Sequence, residues 1–102
     1  MARAALAKSR RPKEGEAENP KKQAGGWLRE QRQKAGLSQM DLANQLGLRY
    51  YTFISQIENG FGRVPSHLMA DWARALGVRP VRFARVLLGH YDPALYRVLF
   101  EE

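Results

Sequence analysis

Glycines at positions 36, 47, 60, 77 and 89 each follow a run of apolar residues at helical spacing. A glycine in that place ends a helix, because it takes the left-handed backbone conformation at no steric cost. Stops this closely spaced predict a chain of short helices joined by tight turns. The first helix is expected over residues 26–34, with Trp27, Leu28 and Ala35 as its apolar surface. The second begins at Ser38, a good N-cap with Asp41 three places on, and carries Leu42, Ala43 and Leu46. The third, about residues 51–59, carries Ile54 and Ile57. A fourth starts near Pro65-Ser66 and sets Leu68, Met69, Trp72, Ala73 and Leu76 on one face. The fifth opens at Pro80 and takes Val81, Phe83, Ala84, Val86, Leu87 and Leu88 to Gly89. Asp92-Pro93 caps a sixth, over about residues 94–101. No segment shows the alternation of a strand, and none repeats. The fold class is all-α.

A chain of 102 residues has room for one modest core. It has no cysteine, so disulfides and thiolate metal sites are excluded, and its two histidines, His67 and His90, do not make a zinc site, which needs three or four ligands. No cofactor is expected. The longest apolar runs are too short to span a bilayer, and the expected location is the cytoplasm, on nucleoid DNA. The net charge of +7 suits a chain that meets polyanions. Residues 1–25 hold seven basic residues against Glu14, Glu16 and Glu18, so +4 of the total lies there. Lacking apolar periodicity, this stretch reads as a disordered basic arm, either a solubilising tail or a source of phosphate contacts. Residues 26–89 are then the folded domain, and residues 90–102 a terminal helix.

Residues 36–60, GLSQMDLANQLGLRYYTFISQIENG, form two helices and a turn inside this basic all-α domain. That arrangement lets one helix enter the major groove while its neighbour spans the phosphates. The sequences GLSQ, DLA, LG, IS, IENG and ALGV resemble the helix-turn-helix domain of the Cro/C1-type phage-repressor family, also called XRE-like regulators. The resemblance implies a five-helix, lambda-repressor-like DNA-binding domain, here with an added C-terminal helix, whose third helix reads base edges. Tyr51, Thr52, Ser55 and Gln56 are the residues it places in the groove. Their chemistry fits: Gln pairs bidentately with adenine, and Thr offers a hydroxyl or a methyl. Gln39, at the start of helix 2, and Asn59 and Gly60, past helix 3, become phosphate contacts, with Arg49 and Arg63 adding charge from the flanking loops. The resemblance also pairs Arg32 with Glu58, a salt bridge bracing helix 3 against helix 1.

Two features depart from the family pattern. The turn LRYYT is one residue longer than its commonest version and puts Tyr50 where a Ser or Thr cap is usual, leaving Thr52 as a late cap. Gln31 stands where a core-facing aliphatic is common.

Domains of this kind bind palindromic double-stranded operators as two-fold dimers, which implies a homodimer. Leu95, Tyr96, Val98, Leu99 and Phe100 of helix 6 carry more apolar surface than a small core needs, and are the expected dimerisation residues. The function that follows is a sequence-specific transcriptional regulator, with repression as the simplest mode for a compact dimer on a promoter. An antitoxin-like or anti-repressor module, acting on a regulatory protein partner through helices 5 and 6, is the alternative. An enzyme is not expected: no nucleophile, base and acid gather in the sequence, and Asp41, Asp71 and Asp92 read as capping or surface acids.

Overall fold

The computed structural model describes residues 19–101. Among these the protein is all-helical, with α1 over Pro20–Lys34, α2 over Gln39–Gln45, α3 over Thr52–Glu58, a 3-10 turn over Ser66–Leu68, α4 over Met69–Leu76, α5 over Pro80–Tyr91 and α6 over Pro93–Phe100. No strand occurs among the described residues.

The capping chemistry explains most boundaries. At α2 the Ser38 hydroxyl accepts from the Asp41 backbone N–H and the Asp41 carboxylate accepts from the Ser38 N–H, both at 2.9 Å. These bonds hold the Asp41 carboxyl below its ordinary range. The glycines that follow α1 to α4 all have positive φ, between 72° and 87°. At α6 the Asp92 side chain accepts from the Leu95 N–H at 3.1 Å, with Pro93 as the first helical residue.

Four expectations are corrected. Helix 1 starts at Pro20 rather than 26: Asn19 accepts from the Lys22 N–H at 3.2 Å, and Pro20 supplies a preset φ. Residues 20–25 of the expected arm are therefore helical, and its residues 1–18 lie outside the described residues. Gly89 does not end α5, which runs on to Tyr91. The glycine packs against the Tyr96 ring, which a Cβ there would meet at an ordinary contact distance of 3.5 Å. Val81, expected inward, is 65% exposed, because α5 turns Phe83 and Leu87 to the core instead. The fourth helix begins as the 3-10 turn, and its α-helical part starts only at Met69.

The core is continuous, formed by Ala24, Leu28, Leu42, Ala43, Ile54, Ile57, Val64, Trp72, Ala73, Leu76, Val78, Phe83 and Leu87. Helix α1 is its spine, packed against both α3 and α5. Ala24 and Leu28 are its buried apolar side chains, beside buried Gly25 and Arg32, and Trp27 meets Phe83 with ring centroids 5.7 Å apart. Helix α4 packs on α5, and α2 bridges α3 and α4. Helix α6 lies on α5 and buries no residue completely.

Candidate nucleic-acid interface

The shortness of α3 makes its orientation depend on its neighbours. Seven residues offer two apolar anchors, Ile54 and Ile57, both fully buried. A third anchor is ionic. The Glu58 side chain is 0% exposed and receives Arg32 Nε at 2.6 Å on Oε2 and Arg32 Nη2 at 3.1 Å on Oε1. This is the two-pronged geometry in which a guanidinium binds a carboxylate most strongly. The third Arg32 nitrogen, Nη1, donates to the Leu37 carbonyl at 2.8 Å, so one side chain joins α1, the turn after it and α3.

Two further residues complete the cluster. Arg29 Nε donates to Glu58 Oε1 at 3.3 Å, and Gln39 Nε2 donates to the same oxygen at 3.1 Å. Burial alone would raise the Glu58 carboxyl. The hydrogen bonds from Arg32 and Gln39, with the Arg32 charge and the Arg29 bond, outweigh it and hold the carboxyl below its ordinary range. Arg29 was not singled out from the sequence, although its spacing of three from Arg32 puts both on one face of a helix.

Backbone proximity adds a steric constraint. A Cβ built on Gly25 of α1 would lie 2.3 Å from the Glu58 carbonyl oxygen, so only glycine lets α1 and α3 approach this closely.

On this frame the sequence-derived site residues fall as follows. Thr52 and Gln56 are exposed on α3, Tyr51 precedes it and is exposed, and Ser55 is half-buried. The cap position of α3 belongs to Tyr51, whose side chain makes no capping bond, and Thr52 is the first helical residue rather than a late cap. Gln39 is half-buried with its amide turned to Glu58, which links α2 to α3 directly. Asn59 accepts from Arg29 Nη2 at 2.8 Å and donates to Ser55 Oγ at 3.4 Å. Gly60 has φ 87°, and a Cβ there would meet the Lys22 backbone at 2.9 Å. Arg49 is exposed in the turn before α3. Arg63 stands over the Tyr91 ring, 4.7 Å from its centroid.

Tyr91 is the second residue that sequence reasoning missed. Its hydroxyl accepts from the Val64 N–H at 3.1 Å and so fixes the loop after α3 to the end of α5. Burial raises the phenol above its ordinary value despite the opposing effects of that bond and of Arg63.

Of the five α6 residues expected to dimerise, Leu95, Val98 and Leu99 form an exposed stripe at helical spacing. Tyr96 and Phe100 are engaged within the chain: Tyr96 is half-buried against Gly89, its ring 5.1 Å from that of Phe100, and Arg85 stands 4.5 Å over Phe100.

Among the described residues no group of three or more His, Cys, Asp or Glu side chains could hold a metal ion. No helix there is long and apolar enough to cross a membrane.

Comparison with curated proteins gives no match. Comparison with family models gives one that spans most of the described chain: the model of a helix-turn-helix domain matches residues 23–86, from the first turn of α1 to the middle of α5. With its two short helices braced across Glu58 and set in an all-helical core, the chain belongs to the helix-turn-helix domain family.

Proposed function

We propose that this protein is a sequence-specific double-stranded DNA-binding transcriptional regulator of the Cro/C1 type, acting as a repressor. Its five-helix part would be lambda-repressor-like, with α3 in the major groove and α2 across the phosphates. The observation that carries the reading is the Glu58 cluster, which fixes α3 against α1 and α2 while Gln56 and Thr52 remain exposed on it.

In this reading Gln56, Thr52, Ser55 and Tyr51 read base edges. Arg49, Gln39, Asn59, Gly60 and Arg63 hold phosphates, and Arg29 orients Asn59 for that contact. Gln39 keeps one amide hydrogen for a phosphate while the other serves Glu58. The protein acts in the cytoplasm by binding and not by catalysis, without a cofactor. A homodimer on a palindromic operator follows, joined through the exposed α6 stripe Leu95, Val98 and Leu99.

Selection of bound duplexes from a random pool tests the reading. The expected result is a palindromic consensus with half-sites about one helical turn apart. Gln56→Ala should lose discrimination at one position per half-site, by about 1 to 3 kcal/mol. Recovery of no consensus would count against sequence-specific regulation, and a stoichiometric co-purifying protein in its place would favour the antitoxin-like alternative.

A further inference from the structure

Among the described residues the large apolar side chains left exposed fall into two groups, one on α5 and α6 and one around the two-helix unit. The second group includes Tyr50, 67% exposed, two residues before α3, and Phe61, 82% exposed, three residues after it. Neither ring makes an aromatic or cationic contact within the described residues.

The segment carrying Phe61 is held at several points. The Phe61 N–H donates to the Gln56 carbonyl at 2.8 Å. Gly60 lies against the Lys22 backbone, and a Cβ on Gly62 would be 3.6 Å from Ile57. Val64 is buried, and its N–H is tied to the Tyr91 hydroxyl. The loop is thus a short arch fixed to α1, α3 and α5, with Phe61 as its projecting apolar side chain. At the other end, the Leu48 N–H donates to the Ala43 carbonyl at 2.8 Å and half-buried Leu48 anchors the turn that presents Arg49 and Tyr50.

Each end of α3 therefore offers an exposed aromatic with an arginine close in sequence, Tyr50 with Arg49 and Phe61 with Arg63. Between them α3 itself contains no lysine or arginine. Seven helical residues span roughly 10 Å. A major groove is about 12 Å wide, so a helix of that length set across it carries the residues beyond both its ends toward the two rims. An apolar ring at the rim of the groove meets deoxyribose, which every nucleotide carries whatever its base.

We infer that Tyr50 and Phe61 form an apolar clamp that packs on the deoxyribose rims of a DNA duplex at the two ends of α3. The clamp rests on the DNA-binding reading above. It adds affinity that depends on neither sequence nor salt, since burying a ring releases water and not counterions. Arg49 and Arg63 supply the salt-dependent part at the same two places.

The test uses the full chain and two duplexes, the selected consensus and a scrambled one, with binding measured by fluorescence anisotropy between 50 and 200 mM salt. Phe61→Ala and Tyr50→Ala should each weaken binding to both duplexes by roughly tenfold, with the salt slope unchanged. Phe61→Leu should recover most of the loss, and thermal melting should show all three variants folded. Val81→Ala, exposed on α5, should bind as wild type. Wild-type affinity in both alanine variants would overturn the clamp and leave the DNA reading intact, with the rings then facing a protein partner. A changed salt slope or a changed base preference would also overturn it. Failure of wild type to bind either duplex would overturn clamp and DNA reading together.

Discussion

Glu58 is the residue on which the geometry of the site converges, and its environment sets two expectations. Removing its main partner leaves a buried carboxylate short of donors, so Arg32→Ala should destabilise the fold by about 3 to 5 kcal/mol in urea unfolding. A variant as stable as wild type would refute the bracing role. The pH dependence follows from the direction of the shift. A carboxyl depressed in the folded state contributes stability that is present above its unfolded value, near 4.5, and lost as the pH falls through the lower folded value. Acid should therefore loosen α3, and Glu58→Gln should flatten the stability profile in that window. Two neighbouring glycines of α1 give opposite predictions. Alanine is favoured over glycine in a helix by about 1 kcal/mol, and at Gly26 a new Cβ meets nothing within 4 Å, so Gly26→Ala should raise the melting temperature. At Gly25 the new Cβ would sit 2.3 Å from a backbone oxygen, and the clash outweighs the propensity. Gly25→Ala should cost about 1 to 3 kcal/mol. Equal melting temperatures for the two variants would show that α1 and α3 separate freely.

Among the elements, α5 does more than close the core. By continuing past Gly89 to Tyr91 it reaches back to the loop after α3 and satisfies the buried Val64 N–H. Tyr91→Phe keeps the ring under Arg63 but removes that acceptor, and should cost about 1 to 2 kcal/mol. Hydrogen exchange at the Val64 amide reads the effect directly: faster exchange there, with α2 amides unchanged, is the expected pattern. Unchanged exchange at Val64 would mean that the loop holds its shape without α5. The same contact bears on how α6 is tested. A chain cut after Gly89 would lose Tyr91 as well as α6, so a change in its behaviour would not isolate the last helix. Substitutions on the outer stripe of α6 do isolate it, because Val98 and Leu99 are more than half exposed and support nothing inside.

For the whole molecule, the prediction at stake is the dimer. Val98→Asp combined with Leu99→Asp should convert a dimer into a monomer by light scattering while leaving the melting of the monomer close to wild type, and a dimer that survives both charges would place the interface elsewhere. The division of labour between sequence and tertiary structure follows from the range over which each acts. Helix type, most stops and the caps at Ser38 and Asp92 were legible because they depend on hydrogen bonds between residues three or four apart. The start of α1 was legible too, in Asn19-Pro20, but the polar run after it lacks the apolar periodicity that marks a helix, and only packing of Ala24 and Gly25 shows why it is one. Arg32 and Glu58 were paired through a family resemblance, not through spacing, since 26 residues separate them. The tertiary structure alone added Arg29 and Gln39 to that pair, carried α5 through Gly89, turned Val81 outward and tied Val64 to Tyr91. The sequence by itself determined the helical type, the caps at Ser38 and Asp92 and the stops at Gly36, Gly47, Gly60 and Gly77, because local hydrogen bonds decide those. Which faces meet, and so how α3 is held, was decided only by the tertiary structure, because close packing and burial bring together residues that no local pattern relates.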